Sequence, residues 1–204
     1  KLLQGLNPDS LYEAAITVLM RLVFLLYAEE RELLPINEQV YNQYYAISTL
    51  SGQLRSEADR FGEEVLERHY DAWSRLLSTS RMIFTGVRHD HLNMPAYGGS
   101  LFDPDRFAFL EGRAKGTDWA SSKAQPLLID NRTVLHILDN IQYLYIRDYR
   151  HRQRLSFRAL DIEQIGHIYE GLLEYKAART DTEMLGLPAT RDYPLPFITL
   201  SEME

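Results

Sequence analysis

"DSLYEAAITVLMRLVFLLYAEERELLP", residues 9–35, decides the fold. Apolar residues recur at Leu11, Ala15, Val18, Leu19, Leu22, Leu25 and Leu26, the 3.6-residue rhythm of a helix. Ser10 with Glu13 three residues later reads as a capping box at its start. Pro35 disfavours helical geometry at Leu34 and should end it. The middle is apolar on both faces, which predicts a central core helix. The most apolar part, 14–28, carries Arg21 in its middle and falls short of the roughly 20 apolar residues a bilayer span needs. A buried helix is therefore expected, and no membrane.

Outward from this helix the chain stays helical. "EQVYNQYYAIS" predicts a helix over about 38–48. A third, over about 53–79, places Leu54, Ala58, Phe61, Val65, Tyr70, Trp73 and Leu77 along one stripe, with Gly62 as a weak point. Gly, Pro and Asp then punctuate 85–130, a long loop segment in which Tyr97, Leu101, Phe102, Phe107, Phe109 and Leu110 should anchor the chain over the helices. Helix restarts at 131, capped by Asp130 or Asn131, with Val134, Leu138, Ile141 and Tyr145 facing in. In "DIEQIGHIYEGLLEY", Asp161 and Gln164 form another capping box, and Ile162, Ile165, Tyr169, Leu172 and Leu173 form a stripe to be buried. The expected fold is mainly α, an irregular helical bundle with a long ordered-to-flexible loop segment at about 85–130. Residues 1–176 would form a helical connector domain, and the proline-bearing 177–204 a linker.

The chain has 204 residues, 45% of them apolar, enough for a real core. It has no cysteine, which removes disulfides, thiolate zinc sites and cysteine nucleophiles and suits a cytoplasmic location. A net charge of −7 argues against coating nucleic acid with the whole surface. One stretch departs from that balance. "RDYRHRQRLSFR", 147–158, holds Arg147, Arg150, Arg152, Arg154 and Arg158 against the single acid Asp148, with Tyr149 and Phe157 between. Two readings stand side by side: arginines that grip the phosphates of a DNA backbone, or cations at a helix C-terminus pairing with acidic surplus elsewhere.

Catalytic patterns are weak throughout. In "RHDHL" the histidines His89 and His91 sit two apart, with no further ligand near in sequence, so a solvated loop is expected rather than a metal. Asp105, Glu111 and Lys115 suggest a magnesium nuclease, but Gly112 and Arg113 follow Glu111 and the lysine spacing is wrong. "DPDRF" reads more simply as a turn, with Pro104 presetting the dihedral and Asp103 capping it. "AYGGSLF" lacks the lysine and the following helix of a phosphate loop. No catalytic, cofactor-binding or metal residue is assigned.

Four segments taken together, 11–35, 97–112 ("YGGSLFDPDRFAFLEG"), 129–144 ("IDNRTVLHILDNIQYL") and 155–175 ("LSFRALDIEQIGHIYEGLLEY"), resemble large bacterial adenine-specific DNA methyltransferases. These are the type IIG restriction–modification enzymes and related phage-defence methylases. The resemblance implies a helical region just upstream of a methyltransferase domain. The parent protein would transfer a methyl group from S-adenosylmethionine to adenine N6, with the base flipped into an Asn-Pro-Pro-Tyr pocket, and some parents would also cut DNA. Neither the cofactor glycine motif nor Asn-Pro-Pro-Tyr occurs in this sequence, so no catalytic residue carries over. The expected role is a non-catalytic connector whose partners are a C-terminal methyltransferase domain and, weakly, DNA. In that reading helix 161–175 leans on the downstream domain. The competing reading is a stand-alone helical protein-interaction module that uses its 13 tyrosines and the 85–130 segment as a partner surface.

Overall fold

The first helix starts at Asn7, not Ser10. In the computed structural model, which describes residues 5–146, 151–175, 179–186 and 197–199, Asn7 Oδ1 accepts from the Asp9 N–H at 3.1 Å and Pro8 fills the first helical position. Proline there surrenders an N–H that would be unsatisfied anyway, so this start outcompetes the capping box at Ser10. Helix α1 (Pro8–Glu30) also ends before the residues that Pro35 restrains. Glu32 takes a left-handed conformation (φ 57°), its N–H donates to Glu29 O at 3.1 Å, and the Leu33 N–H donates to Ala28 O at 2.9 Å. These two bonds form a Schellman motif closed by a glutamate rather than a glycine. Leu22, Leu25 and Leu26 are buried as expected and Ala28 joins them, while Ala15 is exposed and Ala14 takes the inward place. By length and hydropathy alone α1 would pass as a membrane span, yet here it is the central core helix.

The expected helix over 38–48 breaks in two. Helix α2 (Gln39–Tyr44) stops, and α3 (Ile47–Phe61) starts after Ala46, which offers no side-chain cap. Glu29 of α1 supplies the missing cap. Its carboxylate, 4% exposed, accepts from the N–H groups of Ile47 at 2.7 Å and Ser48 at 2.9 Å and from the Tyr41 hydroxyl at 3.1 Å. A carboxylate at a helix N-terminus also meets the positive end of the helix dipole.

The single helix expected over 53–79 is three elements. Gly62 turns the chain at φ 89°, a 3-10 segment follows over Glu63–Arg68, and α4 runs Asp71–Thr85. Two stripe residues accordingly point outward: Phe61 is 64% and Tyr70 44% exposed, and Leu66 rather than Val65 is fully buried. Asn131 ties this region to α5 (Asn131–Gln142). Its Oδ1 accepts from the Ala72 N–H at 3.0 Å, and its Nδ2 donates to Asp71 at 3.0 Å. Asp130, the other cap candidate, caps α5 itself through the Thr133 N–H at 2.9 Å.

The 85–130 segment packs over the helices. Strands β1 (Val87–His89) and β2 (Leu92–Met94) pair antiparallel, and a 3-10 turn spans Ala108–Glu111. Phe102 meets Phe24 edge-on with ring centres 5.4 Å apart, Trp73 Nε1 donates to Leu110 O at 3.2 Å, and Phe107 and Leu110 are buried. Tyr97 is half-exposed but still donates to Leu33 O at 3.2 Å. Buried arginines hold the backbone. Arg21 donates to Leu101 O at 2.6 Å and Asp103 O at 3.0 Å, while Arg113 donates to Pro104 O at 2.8 Å and Thr117 O at 2.7 Å. At Gly112 the chain comes so close that an added Cβ would lie 1.7 Å from Gln125 O.

Helix α5 stops at Gln142, and Tyr145 belongs instead to β3 (Tyr143–Ile146), paired antiparallel with β4 (His151–Arg154). The aromatic and β-branched run Tyr143–Ile146 favours a pleated half-buried surface, and the ladder outcompetes helical continuation. Beyond it Phe157 is buried, and the backbone of 158–160 is clasped by the C-terminal end of α1. The Arg158 N–H donates to Glu30 at 2.9 Å, and Arg31 donates to Arg158 O at 3.0 Å and Leu160 O at 3.1 Å. Helix α6 (Ile162–Leu173) carries its expected capping box, with the Asp161 N–H donating to Gln164 at 3.0 Å. It leans on α1, where Tyr12 donates to Leu172 O at 2.6 Å. Ile165, Tyr169 and Leu172 are half-buried, whereas Leu173 is 48% exposed, and the side chain of Ile162 lies outside the described residues. In the tail, expected as a linker, β5 (Met184–Gly186) pairs antiparallel with β6 (Phe197–Thr199).

Candidate nucleic-acid interface

Of the five candidate arginines, Arg147 and Arg150 lie between β3 and β4, outside the described residues. Arg152 and Arg154 share β4 two residues apart and project to one side of the hairpin. Arg152, 61% exposed, places its guanidinium 3.2 Å from Asp139 Oδ2, an oxygen that Arg55 of α3 also engages. Arg154 approaches Glu30 at a loose 3.6 Å. The Arg158 backbone is anchored on the same Glu30, and its side chain is exposed. The hairpin thus brings Arg152 and Arg154 to the surface beside α3, with one of them held by a nearly buried aspartate (Asp139, 8% exposed).

Between α3 and the hairpin lies a groove of about 360 Å³. Arg55, Arg60 and Arg154 line it with Ser48, Gly52, Ser56, Asp59 and Tyr143. An adjoining hollow shares Arg55, Asp139 and Tyr143 and is closed by Glu63, His136, Asn140 and Arg152. Glu63 collects His136 at 2.8 Å and Arg132 and Arg55 at 3.3 Å each, and the hydrogen bond from His136 leads the effects that hold its carboxyl below the usual range. Sequence reasoning missed Arg55, Arg60 and Asp139. The available signal was the run Ser48, Gly52, Ser56 and Arg60, small or polar at every fourth position and so on one helix face.

The other candidates resolve differently. Asp103 Oδ1 accepts from the Asp105 N–H at 2.8 Å, the expected turn. Glu111, 4% exposed, is gripped by Arg81 and by Arg113 Nε at 2.7 Å; Arg113 also reaches Asp105 at 2.7 Å. Burial pushes the Glu111 carboxyl up, but hydrogen bonds from Arg81 and Arg113 outweigh it and hold the group below its ordinary value. Burial likewise lowers the Arg21 guanidinium to about 10. These residues organise a loop, and every charge in the Arg81–Glu111–Arg113 cluster is spent on a neighbour. His89, Asp90 and His91 sit exposed on the β1–β2 hairpin, the two imidazole rings 5.8 Å apart. Among the described residues no three His, Asp or Glu side chains are placed to hold a metal.

No protein-family model matches this chain, and no curated protein or solved structure matches it.

Proposed function

We propose that this chain is the non-catalytic helical connector of a bacterial adenine-specific DNA methyltransferase, a shoulder that positions the catalytic domain and touches the DNA backbone. The observation that carries this reading is the apolar surface that α6 leaves uncovered beside its contact with α1. One side rests on α1 through Tyr12 and Leu172, while Ile168, Leu173 and Tyr175 remain 48%, 48% and 68% exposed just before the chain turns toward its C-terminal residues. Exposed apolar side chains along both edges of the α1-facing stripe and just past the end of a capped helix suit a second protein surface, and the four-segment resemblance suggests its identity.

Among the described residues every sheet is a two-stranded antiparallel hairpin, without the parallel strand–loop–helix unit that would cradle S-adenosylmethionine. In this reading the cofactor would be held by the downstream domain. What these residues supply is orientation: the clasp of Glu30 and Arg31 on residues 158–160 fixes how α6 leaves the bundle.

Two measurements test the proposal. The gene read past the codon for Glu204 is expected to encode a glycine-rich cofactor loop and then an Asn-Pro-Pro-Tyr motif; an early stop codon refutes the connector role and favours a stand-alone interaction module. The chain by itself, given DNA and labelled S-adenosylmethionine, is expected to transfer no methyl group. Methylated adenine in that assay would refute the non-catalytic assignment.

A further inference from the structure

The groove between α3 and the β3–β4 hairpin has an unusual division of labour. Its inner wall is electrically settled: Asp139 is shared by Arg55 and Arg152, and Gln142 donates to the buried Ser51 at 2.9 Å. Its outer edges are not. Arg60 has no acidic partner among the described residues and lies over the Phe61 ring at 5.4 Å, and Arg154 has only the distant carboxylate of Glu30. Between these two cations the floor is Ser48, Gly52 and Ser56, and a Cβ built at Gly52 meets nothing within 4 Å. A concave space floored by hydroxyls and a bare helix backbone, flanked by one guanidinium with no acidic partner among the described residues and one only loosely paired, suits a tetrahedral oxyanion: the arginines donate in a fork and the serines complete the shell. Asp59, an acid of the lining that has no cationic partner among the described residues, is exposed at the rim, where solvent screens it.

We propose that this groove seats a phosphate of the DNA backbone, with Arg60 and Arg154 as its two cationic edges and Ser48, Gly52 and Ser56 as its floor. The proposal rests on the DNA-methyltransferase reading but moves the contact. Four of its five members lie on α3, outside the arginine-rich stretch, and Arg152 is given to Asp139 instead. Duplex DNA is favoured over an acidic peptide because the groove's Arg154 belongs to a run of arginines in the sequence, Arg147 to Arg158, long enough to follow successive phosphates.

The test uses the full chain and a labelled duplex, with fluorescence anisotropy read at salt from about 50 to 200 mM. The expected result is salt-sensitive binding that Arg60→Ala weakens about tenfold, with the log–log salt slope reduced by about one. Arg154→Ala should do the same, and Arg152→Ala should change little. Gly52→Glu, which has open space for its side chain, should keep the far-UV circular dichroism of the parent and lose binding, while Gly52→Ala keeps it. Full binding by Gly52→Glu and Arg60→Ala would overturn the groove assignment, as would no binding by the parent chain at the lowest salt. Displacement of the duplex by an equal concentration of polyglutamate would overturn it in favour of an acidic protein partner. None of these failures alters what the downstream gene encodes, so the connector role stands or falls separately.

Discussion

Glu29 offers a sharp test of how this bundle is held together. It sits on α1 and caps α3, and removing it should cost far more than an ordinary helix cap. Glu29→Ala strips the acceptor from the N–H groups of Ile47 and Ser48, worth about 1 kcal/mol as a lost cap. It also leaves the hydroxyl of Tyr41, a residue 0% exposed, without a partner, at about 2 kcal/mol for an unsatisfied buried donor. The expected loss is therefore about 3 kcal/mol. Tyr41→Phe, which leaves both backbone bonds intact, should cost about 1 kcal/mol. The two substitutions share one bond, so the double variant should be more stable than additivity predicts by about 1 kcal/mol or more. Urea denaturation followed by far-UV circular dichroism, at constant m, measures all three. A Glu29→Ala loss below about 1 kcal/mol, or strict additivity with Tyr41→Phe, would refute the cap in trans.

Two further outcomes follow from local geometry. Glu32→Gly should stabilise the chain by about 0.5–1 kcal/mol, because a glutamate holds the left-handed Schellman position that glycine adopts without a Cβ penalty; a lower urea midpoint than the parent would contradict this, and Glu32→Ala should bring no such gain. The pH dependence should reveal Glu111. Its folded-state carboxyl is held below the ordinary value near 4.5, so its contribution is complete above that pH and is lost as pH falls through the lowered value. Thermal midpoints should drop below about pH 4.5 as Arg81 and Arg113 lose their shared counter-charge, and Glu111→Gln should flatten that acid limb; an equally steep limb in the variant would assign it to other groups.

Much of the architecture was legible wherever the signal was local. The rhythm of α1, the Asp161–Gln164 box of α6, the Asp103 turn and the core role of Val134 and Leu138 are statements about residues three or four apart, and the structure bears them out. Apart from the start of α1, where Asn7 and Pro8 outcompete the Ser10 box locally, errors came where distant residues decide. The 53–79 stripe kept a helical period across Gly62 and Tyr70, but the 3-10 segment between them follows the burial of Leu66 and the bonds that Asn131 sends back from α5. Tyr143–Ile146 reads equally as helix or strand, and pairing with residues 151–154 settles it. The candidate interface shows the same split. Charge density picked out Arg152 and Arg154, whereas Arg55, Arg60 and Asp139 become neighbours of the hairpin only once α3 and α5 are packed together.

The contact between Tyr12 and Leu172 joins residues 160 positions apart, and the clasp of Glu30 and Arg31 on residues 158–160 closes a span almost as long. During synthesis at about 5–20 residues per second, α1 leaves the ribosome on the order of ten seconds before α6 can reach it. Helix α3 can cover one flank early, but the flank around Tyr12 and the carboxyl-terminal turn of α1 must wait in water for the last third of the chain. The order of emergence therefore makes α1 the surface most exposed to wrong partners in the growing chain, and the natural place for a chaperone to hold it.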